Sequence, residues 1–182
     1  MSEVKSAEEI NMHYKYCPEC GKKLVDRQAG DDGLVPYCEN CKEYRFDTFP
    51  CCSIVMVYNE YNEIVLCKQS YLSEKYMSFT AGFITPGETA EECALREISE
   101  ELGLEGENLE YVGTYWFSPK GLLMHGFTAF SPKREFKLSS EIDYAQWVPI
   151  LEARGKMYPP SPGNAASAIY EYFIKSRGLG GR

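Results

Sequence analysis

The stretch GFITPGETAEECALREISEELGL, residues 82–104, decides the fold of this chain. Thr89 is followed three residues later by Glu92, a spacing typical of a capping box, in which each side chain satisfies a backbone amide at the start of a helix. Gly103 suits the left-handed residue that ends a helix. Apolar residues recur between these ends at helical spacing, at Leu95, Ile98 and Leu102. The sequence therefore predicts a helix between Thr89 and Gly103.

Three acids share one face of this helix. At about 100° per residue, Glu97, Glu100 and Glu101 fall within an arc of roughly 100°. The small residues Ala90, Cys93 and Ala94 lie on the same face, which indicates a packed or concave surface. Two carboxylates about 6 Å apart would repel by about 3 kcal/mol at an effective dielectric near 20. The cluster therefore predicts a hard divalent cation, Mg²⁺ or Mn²⁺, bound through oxygen.

These positions together resemble the signature of the Nudix hydrolases, Gx5Ex7REUxEExGU, in which U is an apolar residue. The defined positions all match, at Gly82, Glu88, Arg96, Glu97, Ile98, Glu100, Glu101, Gly103 and Leu104. The alternative is an acidic surface helix without chemistry, for which so many matches would be a coincidence. The resemblance covers about residues 49–175 and implies a mixed sheet between helices.

The resemblance also implies roles for the charged residues of the signature. Its three glutamates would hold the cation against a diphosphate, and Glu100 or Glu101 would accept the proton of the attacking water. Arg96 would orient a glutamate of the signature through a bidentate ion pair. Gly82 would permit the geometry of the loop, and Glu88 would act as a supporting acid.

Length and charge limit the other classes of function. At 182 residues the chain holds one catalytic domain with a small appendage. A net charge of −8 argues against tight, non-specific binding of nucleic acids, which depends on basic surface. The first residues lack the apolar core of a cleavable signal, and no run approaches the length of a membrane span. We expect a cytoplasmic protein without membrane contact.

Four cysteines near the N-terminus are spaced for a metal. Cys17 and Cys20 form one CxxC pair, Cys38 and Cys41 form the second, and seventeen residues separate the pairs. Each pair presents two thiolates from one tight turn, so that together they complete the tetrahedron that zinc prefers. The loop AGDDG at residues 29–33 predicts a hairpin between them, whose folding depends on the metal. Disulfides or a redox pair are the alternatives, and four cysteines leave no position for a catalytic water.

The sequence predicts four segments: a flexible N-terminal segment over 1–13, a zinc ribbon over 14–47, a Nudix hydrolase domain over 48–176 and a C-terminal tail over 177–182. Runs of β-branched and aromatic residues predict strands at 53–58, 63–67, 77–82, 109–116, 122–131 and 145–149. A final helix over 165–176 is expected to pack through Ile169, Tyr172 and Phe173. The expected fold class is α/β of the α+β type, a mixed-sheet α/β/α sandwich preceded by the zinc ribbon.

A cysteine ribbon directly before a Nudix domain resembles the NADH pyrophosphatase subfamily. In that subfamily a second signature, SQPWPFPxS, follows the Nudix signature. The corresponding stretch here is GTYWFSPKGLLM, residues 113–124. It matches only if Phe117 and Ser118 replace the proline-phenylalanine step. Ordinary sheet core is the alternative for each aromatic residue of this stretch. As a group they are expected to line a pocket for a base or nicotinamide: Tyr115, Trp116 and Phe117.

The subfamily resemblance implies further site residues. Phe83 would stack on a ring of the substrate. Phe49, which precedes Pro50, would reach the site of a partner subunit, so a homodimer is implied. Glu141 would help to bind the metal or the water, and Asp143 is its competitor for this role.

The expected function is the metal-dependent hydrolysis of the pyrophosphate bond of a dinucleotide, with NAD(H) giving nicotinamide mononucleotide and AMP. An NAD cap on RNA is a variant of this substrate. One alternative is a Nudix pyrophosphatase for ADP-ribose or another nucleoside diphosphate derivative. The alternative of another class is a non-catalytic module that senses nucleotides or binds nucleic acid.

Overall fold

A computed structural model describes residues 14–179 of the chain. The chain divides into two compact units, with the boundary between Phe49 and Pro50. The predicted flexible segment over 1–13 lies outside the described residues, as does the end of the predicted tail.

The first unit is a small antiparallel sheet. Its strands are adjacent in the order β1 (Val25–Gln28), β2 (Leu34–Cys38) and β3 (Glu43–Tyr44). The loop predicted at AGDDG joins β1 to β2, where the Ala29 amide donates to the Gly33 carbonyl at 2.8 Å. The predicted hairpin is therefore confirmed. Its core is small, with Leu24 packed beside the buried Cys17 and Cys38.

The second unit contains a mixed six-stranded sheet. Its strands are β4 (Cys51–Tyr58), β5 (Glu63–Lys68), β6 (Thr80–Phe83), β7 (Glu107–Phe117), β8 (Leu122–Phe130) and β9 (Tyr144–Pro149). The order is β7-β8-β4-β5-β9, and β6 pairs with β4. The β4–β8 pair is parallel and the other pairs are antiparallel.

Three helices accompany this sheet: α1 (Ala90–Leu102), α2 (Ile150–Ala153) and α3 (Ala165–Ser176). Two buried clusters lie on its opposite faces, because neighbouring strand residues point to opposite sides. Val55 and Val57 of β4 pack with Ile98 and Leu102 of α1. Ile54 and Met56 pack with α3 and α2. The predicted mixed-sheet α/β/α sandwich is confirmed.

The predicted ends of α1 are confirmed. The Thr89 hydroxyl accepts from the Glu92 amide at 3.2 Å, and the Glu92 carboxylate accepts from the Thr89 amide at 2.8 Å. Gly103 ends the helix with φ 65°. Ile98 and Leu102 are fully buried, whereas Leu95 is 39 % exposed. The apolar stripe of α1 is therefore narrower than the sequence spacing indicated.

Two predictions about the remaining elements were wrong in detail. The strand predicted at 77–82 is regular only from Thr80, because Met77 and Ser78 make isolated bridges to Met157 and Cys67. Helix α3 has the predicted bounds, but Tyr172 does not belong to its packed face. It lies 38 % exposed, and its hydroxyl donates to Glu110 at 2.6 Å.

The packed face of α3 uses Tyr170 instead. This side chain is 5 % exposed and lies with Ile169 and Phe173 in the core. Its hydroxyl donates to the Ile150 carbonyl at 2.8 Å. A buried tyrosine needs such a partner, and the start of α2 supplies it.

Candidate active site

The candidate site begins where β6 passes under α1. Antiparallel pairing of β6 with β4 sets Gly82 opposite Ser53, and the Ser53 hydroxyl donates to the Ala90 carbonyl at 2.7 Å. A Cβ atom added to Gly82 would fall on the carboxylate of Glu97. Gly82 does not adopt a positive φ. The glycine therefore serves the close approach of a carboxylate to the strand, and the loop geometry that we expected is not its reason.

Glu101 is the most deeply buried acid of the helix. Its residue is 3 % exposed, and the Thr80 hydroxyl donates to Oε2. The other oxygen, Oε1, is buried and has no hydrogen-bond partner. Burial raises the pKa of Glu101 to about 7. A buried carboxylate oxygen without a donor suits a cation, because an unpaired buried charge is otherwise costly.

Glu97 lies beside Glu101 and is 8 % exposed. Burial raises its pKa, and the neighbouring guanidinium of Arg96 opposes that shift. Arg96 Nη1 donates to Glu97 Oε1 at 2.6 Å and to Glu100 Oε2 at 2.9 Å. The Glu100 side chain is 59 % exposed. Two of the three acids predicted to share one face are thus buried, and the third reaches solvent.

Arg96 also ties the helix to the loop that precedes it. Its Nε and Nη2 donate to the two oxygens of Glu88 at 2.7 and 3.1 Å, which is a bidentate pair. Nη2 also donates to the Phe83 carbonyl at 3.1 Å. Hydrogen bonds from Arg96 are the main cause that holds the pKa of Glu88 at about 2, and Thr85 adds to them. Arg96 therefore bonds to three glutamates at once.

Glu141 and Asp143, the two candidates for the further acid that binds the metal or the water, lie in different surroundings. Asp143 accepts from the Ser70 amide at 2.5 Å, and this bond lowers its pKa. Glu141 is exposed, and its charge adds to the raised pKa of both Glu97 and Glu101. Glu141 is therefore near enough for its charge to act on the buried pair, and its role in binding the metal or the water stays a prediction.

The predicted aromatic residues are distributed over several environments. Phe83 is 59 % exposed. Tyr115 packs against the core cluster beneath α3, with its ring against Gly126. In β7 it pairs with Met124, whereas the next residue, Trp116, pairs with Leu123. Consecutive strand residues point to opposite faces, so Tyr115 and Trp116 cannot line one surface.

The packing of Tyr115 agrees with the alternative of sheet core for this residue. Phe117 pairs with Leu122 at the end of β7 and is partly buried. Phe49, the last residue of the first unit, is 43 % exposed. The ligand-binding roles stay predictions for all five aromatic residues: Phe49, Phe83, Tyr115, Trp116 and Phe117.

Three residues near the acids were missed in the sequence. Thr80 bonds to Glu101, and Thr85 donates to Glu88 through its amide at 3.0 Å and its hydroxyl at 3.1 Å. The pKa of the Tyr71 hydroxyl is raised, first by partial burial and then by the negative charges of Glu101 and Glu141. Only Thr85 had a sequence signal, its position three residues before an acid in a turn.

The four N-terminal cysteines form a second candidate site. Their sulfur atoms all lie within 4.8 Å of one another. Cys17 Sγ lies 3.9 Å from Cys41 Sγ, and Cys20 Sγ lies 3.5 Å from Cys38 Sγ. Sulfur atoms on a zinc tetrahedron with bonds of about 2.3 Å are about 3.8 Å apart. The cluster therefore has the geometry of a four-cysteine metal site.

Both cysteine turns have the same backbone form. The Gly21 amide donates to the Cys17 carbonyl at 2.9 Å, and the Lys42 amide donates to the Cys38 carbonyl at 2.8 Å. Gly21 and Lys42 both have positive φ, at 71° and 62°. Lys42 holds this conformation without being a glycine, which costs energy unless the turn is held in place.

Comparison with known proteins assigns the second unit to a family. Residues 49–168 match the sequence profile of the NUDIX domain. The chain belongs to the Nudix family. The Nudix domain of this chain thus carries Glu97, Glu100 and Glu101 on its signature helix.

Curated relatives of this Nudix protein include an NAD-capped RNA hydrolase NudC of Pseudomonas aeruginosa, 31 % identical over 157 residues, which are 86 % of this chain and 53 % of the relative. The NAD-capped RNA hydrolase NudC of Vibrio parahaemolyticus is 28 % identical over 163 residues, 88 % of this chain and 59 % of that protein. The chain thus spans little more than half the length of these relatives.

Solved structures support the same Nudix fold. A NUDIX hydrolase from Nitrosomonas europaea superposes with a TM-score of 0.65 at 19 % identity, covering 92 % of this chain and 94 % of that one. The NUDIX domain of Shewanella oneidensis NrtR, solved with ADP-ribose, gives 0.60 at 14 % identity, with 78 % and 94 % covered. Within residues 14–179, no helix is long and apolar enough to cross a membrane.

Proposed function

We propose that this Nudix protein hydrolyses the pyrophosphate bond of a dinucleotide, and that NAD(H) is cleaved to nicotinamide mononucleotide and AMP. The observation that carries the proposal is the buried pair Glu97 and Glu101 on the signature helix, with Glu101 Oε1 left without a donor. The relatives are named as NAD-capped RNA hydrolases, and this supports a substrate that contains NAD. The ribbon-and-box arrangement, which resembles the NADH pyrophosphatases, supports it.

The donor set fits a hard divalent cation. Glu97, Glu101 and Glu141 offer oxygen only, and the first two are already desolvated. Bound there, Mg²⁺ or Mn²⁺ would neutralise the charge of the diphosphate and make a water molecule a better nucleophile. Glu100, which is exposed and paired with Arg96, and Glu101 are the candidates to accept the proton of that water.

Arg96 is a positioning residue in this proposal. It joins Glu88 in the loop to Glu97 and Glu100 on the helix. The Phe83 carbonyl is held by the same guanidinium, so the exposed Phe83 ring projects from a fixed backbone. We propose that this ring stacks on a base or nicotinamide, as the resemblance implies.

For the cysteine cluster we propose structural zinc. Two of its four cysteines, Cys17 and Cys38, are buried, and thiolates are ligands that zinc prefers. Four protein ligands close the site, so the cluster takes no part in hydrolysis. A homodimer, in which Phe49 reaches the site of the partner, and a cytoplasmic location stay predictions from the sequence.

The test is a product analysis. The purified protein is incubated with Mn²⁺ and, separately, NADH, NAD⁺, ADP-ribose, FAD and diadenosine compounds, and the products are identified by mass spectrometry. We expect nicotinamide mononucleotide and AMP from NADH as the fastest reaction. Faster cleavage of ADP-ribose would move the substrate assignment to the alternative, and no cleavage of any compound would reject hydrolysis.

A further inference from the structure

Strand β6 and helix α1 face each other with matched spacings. Thr80 and Gly82 are two residues apart on β6, which is about 7 Å along a strand. Glu97 and Glu101 are four residues apart on α1, which is about 6 Å along a helix. A Cβ atom at Gly82 would meet the Glu97 carboxylate, and the Thr80 hydroxyl donates to Glu101. Each buried acid of α1 therefore has its own residue of β6 opposite it.

The side chain of Thr80 lies on the face of the sheet that α1 covers. It is 2 % exposed, and Val55, its partner on β4, packs in the cluster that contains the apolar residues of α1. Ala81, the next residue of β6, packs against the cluster on the opposite face. The hydrogen bond between Thr80 and Glu101 is thus enclosed between strand and helix, and exclusion of water strengthens such a bond.

The Thr80 hydroxyl makes the two oxygens of the Glu101 carboxylate unlike. Oε2 accepts from Thr80, whereas Oε1 is buried and accepts from no described residue. Rotation of the carboxylate would break the bond to Oε2, so the bond fixes the direction of Oε1. Hydrogen bonds to carboxylates that ligate a metal orient those carboxylates in the same way.

Other buried hydroxyls of the domain show that burial alone does not require this pairing. The Ser53 hydroxyl donates to the Ala90 carbonyl at 2.7 Å, a bond that fastens α1 to the sheet. Thr128 of β8 is 1 % exposed, and its hydroxyl bonds to no described residue. Thr80 differs from both, because its partner is an acid that we propose as a ligand of the cation.

We propose that Thr80 is a positioning residue for the metal site. By holding Oε2, its hydroxyl leaves Oε1 as the one oxygen that Glu101 offers to the cation, in a fixed direction. Without the hydroxyl both oxygens of Glu101 would be buried without a donor, and the carboxylate would have to be ordered when the cation binds. This inference rests on the metal binding of the proposed function, and it adds to that site a residue outside the signature.

The binding test uses Mn²⁺ alone, so that it is independent of hydrolysis. Free Mn²⁺ is followed by electron paramagnetic resonance during titration of the zinc-loaded protein without substrate. Thr80→Val replaces the hydroxyl by a methyl group and should weaken Mn²⁺ binding about tenfold or more. Thr80→Ser keeps the hydroxyl and should retain near-native affinity. Thr128→Val is the matched control, since it removes a buried hydroxyl without a described partner and should leave the affinity unchanged.

A kinetic test separates the orientation of Glu101 from the binding of substrate. At saturating Mn²⁺, Thr80→Val should lower kcat for NADH about tenfold or more, because a misplaced ligand reduces the rate of the chemical step. KM for NADH should stay unchanged, since Thr80 is buried too deeply to contact a substrate. Thr80→Ser should restore kcat.

Native Mn²⁺ affinity in Thr80→Val would overturn the proposal, and so would an equal loss in Thr80→Ser or in Thr128→Val. If Thr80→Val does not fold, Thr80→Ser and Thr80→Ala, which differ only in the hydroxyl, give the same comparison. If the native protein binds Mn²⁺ without hydrolysing NADH, the proposed function fails, and the titration still decides the role of Thr80. Failure of the native protein to bind Mn²⁺ would overturn both.

Discussion

Glu101 destabilises the fold when it is ionised, and it is also a proposed ligand of the catalytic metal. Burial raises the pKa of this carboxyl from an ordinary value of 4.5 to about 7. For an acid with a raised pKa in the folded state, ionisation destabilises the fold increasingly as the pH rises from about 4.5 to about 7. A cation that binds the orphaned Oε1 would relieve that cost.

We therefore predict that Glu101→Gln separates stability from activity. Hydrolysis should fall by about 10² or more, because a ligand and candidate base is lost. Without added divalent cation, the melting temperature at pH 8 should be at least that of the native protein, and the gain should shrink at pH 5. Added Mn²⁺ should raise the melting temperature of the native protein only. Calorimetry and product assays measure both effects.

Glu100→Gln is the control for this experiment, since the Glu100 side chain is largely exposed. It should leave the melting temperature without cation unchanged. Near-native hydrolysis by Glu101→Gln would contradict the metal-site assignment. A melting temperature of Glu101→Gln well below that of the native protein would contradict the argument that the buried charge of Glu101 destabilises the fold.

Gly82 offers a second prediction at this scale. In Gly82→Ala the new methyl group would occupy the position of the Glu97 carboxylate, so that side chain must move away from Arg96. We expect a folded protein with hydrolysis reduced about tenfold or more, because displacement of a positioned group by about 1 Å is costly in catalysis. Steady-state kinetics measures the loss. Gly155→Ala is the control, since its Cβ would meet no atom closer than 3.8 Å; equal activities of the two variants would refute the packing argument.

At the scale of elements, α1 is held at its start by reciprocal hydrogen bonds between Thr89 and Glu92. Thr89→Ala removes one of them and should lower the free energy of unfolding by about 1 kcal/mol. Neither residue bonds to the acids, so activity at 25 °C should be retained. Denaturant titration is the measurement. Glu92→Gln keeps an acceptor for the Thr89 amide and should cost less; a larger loss in that control would show that the charge of Glu92, and not its hydrogen bond, stabilises the helix.

The elements also show where the sequence was sufficient. Local chemistry fixes both ends of α1, and the two CxxC pairs with the AGDDG loop fix a hairpin, so these were predicted correctly. The face of α3 was not. Tyr170 and Tyr172 are equally apolar in the sequence, and the choice between them depends on the Ile150 carbonyl, a partner twenty residues away in the chain.

In the candidate site, too, the features that depend on local sequence were predicted, and those that depend on distant residues were not. The signature acids and Arg96 were readable because their spacing is local. The partners that determine their environment, such as Thr80 for Glu101 and Ser70 for Asp143, come from other strands and loops. Tyr115 and Trp116 were assigned to a pocket because alternating strand residues cannot all face one core. The pairing of β7 with β8 sends these two side chains to opposite faces of the sheet.

At the scale of the whole molecule, the first unit has few buried apolar side chains of its own. Leu24 and the buried cysteines form its small core. We predict that removal of the metal by a chelator unfolds residues 14–47 and leaves the Nudix domain folded. Hydrogen exchange followed by mass spectrometry should show lost protection in that segment alone. Unchanged protection there after complete metal removal would refute the structural role, and Cys17→Ser should reproduce the chelated state.

The mixed sheet has a consequence for how the protein reaches its folded state. Strands β4, β5 and β6 are close in sequence, and so are β7 and β8, but Cys51 of β4 pairs with Leu123 of β8 across the whole of α1. Pairing over such a separation is slow, because a long loop must close before any contact forms. The two halves therefore meet late, and α1 lies at their junction. Because Thr80 and Gly82 of β6 contact Glu101 and Glu97, we expect these acids to lose their water within the first half of the domain, before the slow pairing of β4 with β8 completes the sheet.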